Sequence, residues 1–234
     1  MKIHCIWEHN GNDTLLYSRD YIGAFTRGSC LEEALSKMPQ EILAYSRWIG
    51  QSITEDIIPI VAEEHISSLD ICDTDSDVIF DSEKQFLTME EYLHLKDITL
   101  KSAEDFLKMY DSISDKHSSS LKPKNTFIGP RPRTAHEMYE HTKCVNSYYF
   151  GEIGVSVSND GSILQCRKNG FELLEKQAGF LSNTVLVGSY DEKWSLRKIL
   201  RRFIWHDRIH GKAMYRMATL TFGKNSVDNT FGFN

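Results

Sequence analysis

Nowhere in the chain is there a run of about eighteen apolar residues, so no membrane-spanning helix is expected. The opening residues, MKIHCIWEHNGN, also lack the long apolar stretch and small-residue cleavage site of a secretory signal, and the expected location is the cytoplasm. Cysteine is scarce: Cys5, Cys30, Cys72, Cys144 and Cys166 show no CxxC spacing. An odd count without a pairing pattern reads as reduced thiols, and none stands at zinc-ligand spacing. Internal repeats and long low-complexity tracts are missing. Positive charge is sparse in the first third, where residues 1–82 carry 5 basic and 15 acidic side chains against 22 and 18 in the remainder. A negative N-terminal part does not suit a phosphate backbone, which disfavours DNA binding there.

What is present falls into two stretches. A chain of 234 residues holds one large domain or two small ones, and 41% hydrophobic with 26% charged residues is an ordinary globular balance. Residues Met1–Trp7 alternate loosely and run into the turn-like His9-Asn10-Gly11-Asn12-Asp13. Thr14–Ser18 follows as a second extended stretch, the Asn-Gly pair between them being a hairpin signal. Gly23–Thr26 reads as a third short strand. Ser29-Cys30-Leu31-Glu32 opens a helix with a Ser-x-x-Glu capping box. Leu31, Ala34, Leu35, Met38, Ile42, Leu43, Tyr45 and Trp48 give that helix an apolar face. The β-branched Ile57–Ala62 reads as a closing strand. The predicted fold class is α+β, with a small β-β-β-α-β domain over residues 1–70.

Asp70–Asp77 is acidic and poor in large apolar residues, which places a linker at residues 71–87. The pattern then turns helical. Thr88-Met89-Glu90-Glu91 is a second capping box, starting a helix to about Ile113. Ser114–Pro132, with a serine triplet and three prolines, is a loop. Thr134-Ala135-His136-Glu137 is a third capping box for a helix through about Gly151. A further helix spans Gly161–Gln177, weakened by Gly170, and the last runs from about Ser195 to Met217. The expectation for residues 88–234 is a four-helix bundle.

Three of the nine histidines are set apart by their positions. In the last helix a stripe stepping 196, 199, 203, 206, 210, 213, 217 passes through His206 and His210 among apolar residues, aiming both rings at the core one turn apart. That i, i+4 spacing lets two ring nitrogens reach one metal ion. In the helix opened at Thr134, His141 falls between Met138 and Val145 on the inward side with Tyr148 and Tyr149, whereas His136 reads as a first-turn surface residue. Three imidazoles would leave open coordination positions, as in a catalytic site. An HxxxH pair on a helix also marks ordinary half-buried histidines, and the spacing alone leaves both readings open.

From about Thr88 onward the chain resembles the DinB/YfiT-like family of metal-dependent enzymes, four-helix bundles with three histidine ligands. The match rests on Thr134-Ala135-His136-Glu137-Met138-Tyr139-Glu140-His141 and on Trp194 through His210, with its terminal His206-Asp207-Arg208-Ile209-His210. The resemblance implies His141, His206 and His210 as ligands to a divalent transition metal such as zinc, nickel or iron. It also implies a small-molecule substrate, with a low-molecular-weight thiol as one class, and a homodimer. Residues 1 to about 67 resemble a HicB-like domain through Leu15-Leu16-Tyr17-Ser18, Gly23-Ala24-Phe25, Gly28 and Leu31-Glu32-Glu33-Ala34-Leu35. The DNA-binding segment usual after that unit is replaced here by the histidine-bearing helices.

These features lead to two functions. The first is a metal-dependent thiol S-transferase or hydrolase, with Asp207, Glu140 or Tyr148 as candidates for supporting the ligands or moving protons. The second is a non-catalytic regulatory or protein-interaction module, in which the α+β unit recognises a partner. Lys122–Arg133 and Arg197-Lys198-Arg201-Arg202 raise nucleic-acid binding, but aromatic residues for base stacking are missing between them. The second group reads as the solvated polar face of an amphipathic helix. Trp48, Trp194 and Trp205 are expected to be packing anchors, and Phe231 and Phe233 to fold back on the helices.

Overall fold

The first 66 residues form the strand-rich unit their patterning predicts. The computed structural model describes residues 1–71, 76–126 and 129–233. Strands β1 (Lys2–His9), β2 (Thr14–Ser18), β3 (Phe25–Gly28) and β4 (Ile58–Ile66) make one sheet of order β3-β2-β1-β4. The β1–β2 hairpin pairs His9 with Thr14, and Gly11 takes the positive φ that the intervening turn requires. Helix α1 (Leu31–Trp48) crosses over to place β4 parallel to β1. Its capping differs from the expectation. Cys30 is the N-cap and contributes no side-chain bond, while Glu33 Oε2 accepts from Ser29 N and Oγ at 2.8 and 2.9 Å. The helix starts one residue late, so the acid that reaches back is Glu33 rather than Glu32.

Every residue of β2 is buried because both faces of the sheet are covered. On one face Ile3, Cys5 and Leu16 pack with Ala34, Met38 and Ile42 of α1. On the other, Ile6, Leu15, Tyr17 and Phe25 pack with Ile71, Val78, Phe80 and Trp205. The alternation of Leu15, Leu16 and Tyr17 between the two clusters is the period-2 rule of a strand.

Beyond residue 76 the chain is helical, with α2 (Met89–Ser112), α3 (Ala135–Glu152), α4 (Ile163–Leu174) and α5 (Leu196–Phe222). Two short hairpins, β5–β6 (Asn125–Thr126, Gly129–Pro130) and β7–β8 (Leu186–Val187, Lys193–Trp194), sit in the connections. The predicted boxes at Thr88 and Thr134 form in full, each threonine accepting from the N–H three residues on while a glutamate returns the bond. Helix α5 packs on α2 and α3, and α4 closes the ring by packing on the same two. Bonds from Arg197 to Glu91 and from Ser102 to Asp207 run α2 and α5 in the same direction. Contacts of Tyr149 with Phe203 and of His141 with His210 set α3 against α5. The molecule is thus α+β, with a small N-terminal sheet and, among the described residues, five α-helices.

Helix α5 lies between the sheet and the other helices and is buried on nearly all sides from Leu196 to Arg208. The solvated face expected at Arg197-Lys198-Arg201-Arg202 is therefore a correction: Lys198, Arg201 and Arg202 are buried beneath residues 76–83 and 192–194. Arg201 pairs with Glu83, Lys198 with Glu192 at 2.8 Å, and Arg202 donates to Ser76 O at 2.6 Å. Trp48, Trp194 and Trp205 are all buried, as are Phe231 and Phe233, which fold back over Gly211 of α5. Cys5, Cys30, Cys144 and Cys166 are free thiols, while Cys72 and most of the acidic segment before Asp77 lie outside the described residues. Among the described residues no helix is long and apolar enough to cross a membrane.

Candidate metal centre

Helix α3 buries Ala135, Met138, Tyr139, Thr142, Asn146, Tyr149 and Phe150. His141, Val145 and Tyr148 form the neighbouring, half-buried stripe, so His141 stands at the edge of the α3 core face rather than at its centre. That edge turns toward α5. The His141 ring lies 5.2 Å from the ring of His206 and 4.6 Å from that of His210, and the two α5 rings are 4.3 Å apart. One nitrogen from each residue falls within 4.8 Å of the others. Donors each about 2.1 Å from a tetrahedral ion lie about 3.4 Å apart, so side-chain rotations that close the widest pair by up to about 1.4 Å bring the trio to coordination distance.

The electrostatics favour the neutral rings that ligation needs. Burial, with the neighbouring His210 and His141 and then Arg202 and Arg167, holds His206 well below the usual imidazole range. Burial, His141 and Arg131 lower His210 to about 3, and burial alone lowers His141. His206 Nδ1 is buried with no hydrogen-bond partner. A desolvated ring nitrogen without a partner costs free energy, which a donor or a coordinated cation relieves. The residues present therefore fit a divalent transition metal.

The other candidates sit elsewhere. Asp207 points away from the imidazoles into a fully buried pair with Arg167, whose Nη1 donates to Oδ2 at 3.1 Å and Nη2 to Oδ1 at 3.2 Å; Ser102 Oγ adds a bond of 2.6 Å. Glu140 pairs with Lys143 on the surface of α3. Tyr148 packs on Tyr149 and Trp194 at 5.5 and 5.8 Å, and burial raises its hydroxyl pKa. Tyr149 is the aromatic wall of the cluster, its ring 6.1 Å from His206. His136 is half-buried in the first turn of α3, where its ring approaches that of His117 at 4.7 Å, a proximity that sequence spacing did not reveal.

Sequence reasoning missed Arg167 and Arg131. Arg167 was detectable in principle: it falls on the stripe Ile163, Arg167, Gly170, Phe171, Leu174 that α4 buries, and a lone charge on an apolar stripe demands a buried partner. Arg131 lies in the loop before α3, where no periodicity could have brought it toward His210. No protein-family model, curated protein or solved structure matches this chain.

Proposed function

We propose that the chain is a divalent-metal-binding protein with His141, His206 and His210 as ligands, and that it acts on a small molecule by transfer to or from a low-molecular-weight thiol or by hydrolysis. The observation that carries this reading is the convergence of three desolvated imidazoles from two helices, one with a stranded buried nitrogen. The pairwise packing of α2, α3, α4 and α5 into a closed ring supports a four-helix bundle of the DinB/YfiT type. When bound, a divalent metal supplies Lewis acidity that lowers the pKa of a thiol or water it coordinates. The chain itself supplies three neutral donors on rigid helices, leaving the remaining coordination positions to the reactants. Burial of α5 between the sheet and the helices fixes His206 and His210 before any ligand arrives. Free thiols on four described cysteines support a reducing compartment such as the cytoplasm.

A second reading, a regulatory or interaction module, rests on β4. It ends the sheet with one side unpaired and exposes Ile58 and Ile66, as a strand awaiting a partner or a second copy would. Elemental analysis of the purified chain decides the metal question. One zinc, nickel or iron per chain is expected, lost in His206→Ala and in His141→Ala; metal-free protein that cannot be loaded refutes the centre. Metal-stimulated turnover of a thiol–electrophile panel then separates enzyme from module.

A further inference from the structure

Between α1, α5, strand β3 and the stretches 121–124 and 131–133 lies an open cavity of about 840 Å³. Its wall carries eight lysine and arginine side chains and one carboxylate, Glu41, while Lys37 and Arg27 pair with Glu33 and Asp13 just outside the lining. Glu41 is already committed, accepting from Arg208 at 2.7 Å and lying 3.5 Å from Lys212. Lys122, Arg131 and Arg216 form no ion pair among the described residues, and all three are exposed. Concentrating cations without counter-charge raises the local potential and costs folding energy, an arrangement that an anionic ligand relieves. The floor is different in kind: Phe25, Met138, Met217 and Phe233 line it with apolar surface. Volume and lining match the ordinary small-molecule pocket of about 300–1,000 Å³.

The cavity flanks the histidine-bearing stretches of α3 and α5, with Ile209, next to His210, in its wall. Met138 precedes His141 by three residues on α3, and Ala213 follows His210 by three on α5, so both lie on the same helix faces one turn along.

We propose that this cavity binds a small organic oxyanion, its phosphate or carboxylate head held by Arg131, Arg216 and Lys122 and its apolar body on Met138, Met217 and Phe233, and that it delivers the ligand to the histidine cluster. The delivery step rests on the metal reading above, but the anion site stands on side chains that do not include the three histidines. Guanidinium groups suit planar, bidentate recognition of such heads.

Isothermal titration of the chelator-treated chain with phenyl phosphate, benzoate and benzyl alcohol at low salt tests the assignment. Saturable binding of phenyl phosphate or benzoate, whichever head is preferred, with none of benzyl alcohol, is the expected result. Arg131→Ala and Arg216→Ala should each weaken it about tenfold, and rising salt should weaken it further. His206→Ala should leave the anion affinity within about twofold while abolishing metal uptake. Absence of saturable anion binding, unchanged affinity in both arginine variants whose circular dichroism matches wild type, or binding that requires added metal overturns the proposal. Anion binding by a chain that takes up no metal would instead refute the metal centre and leave this site standing.

Discussion

Replacing Asp207 by alanine should destabilise the protein severely without touching an imidazole. Asp207 and Arg167 are both fully buried. The guanidinium is held by the carboxylate, by Asn146 Oδ1 at 2.5 Å and by the ring of Phe203 at 3.8 Å. Without Asp207 it loses the one counter-charge in contact with it among the described residues, and removing one partner of such a pair costs about 3–5 kcal/mol. For a protein of this size each kcal/mol lowers the melting temperature by about 2–4 °C, so a drop of about 10 °C is the central expectation. Burial pushes the Asp207 carboxyl pKa up in spite of Arg167 and Ser102, the sign that desolvation outweighs the attraction. The double variant Arg167→Met/Asp207→Asn, which removes both charges at nearly constant volume and leaves Ser102 an acceptor, should therefore recover most of the loss. Urea denaturation of wild type, both single variants and the double variant closes the cycle. A loss below about 1 kcal/mol in Asp207→Ala, or a double variant as unstable as the worse single, would refute this account of the core.

Metal loading should raise the melting temperature in proportion to the logarithm of free metal over its dissociation constant, and excess chelator should reverse the gain; a midpoint indifferent to metal while metal is bound would count against a site confined to the native state. In the metal-free protein His206 and His210 stay neutral where the unfolded chain takes up protons. Their contribution is therefore complete above pH about 6.5 and is lost as pH falls toward 3, with a slope of up to about 1.4 kcal/mol per pH unit for each ring. His210→Gln should flatten that slope, as read from urea midpoints between pH 7 and 4. Gly23 combines φ +91° with close approach to α5, and a Cβ there would fall 2.7 Å from Ile204 Cβ. Gly23→Ala should cost about 2–4 kcal/mol through overpacking and a left-handed backbone, measured as a lower urea midpoint with an unchanged m-value.

The elements were legible where local chemistry fixes them. Thr88 and Thr134 each announce a helix start because a hydroxyl and a glutamate three residues later satisfy the same exposed N–H groups, and both boxes formed. His206 and His210 could be placed together because i and i+4 share a helix face whatever surrounds it. Bringing His141 to them depended on a stripe of weaker contrast, since the side of α3 that carries it is half-buried beside a stronger core face. The cap of α1 was misplaced by one residue because Ser29 can serve either as the cap or as the residue before it, and only the helix start decides between them.

The least legible feature was the surroundings of α5. From sequence alone, Arg197, Lys198, Arg201 and Arg202 mark a face for water, because charged residues are seldom buried unless paired. Most pairings lie far away in the chain, Glu83 for Arg201, Ser76 for Arg202 and Glu41 for Arg208, while Lys198 turns back to Glu192 in the hairpin before α5. No helical period can report such partners. The same burial gives the histidine pair its setting, because a helix pressed between a sheet and three other helices has little freedom to rotate. The charges that obscured the fold are thus part of what orients His206 and His210: Arg208 ties α5 to α1, and Arg201 ties it to the strap after the sheet. A helix free on its outer face would carry the same HxxxH spacing with rings able to turn to water. Anchored on both sides, α5 keeps the two rings on His141.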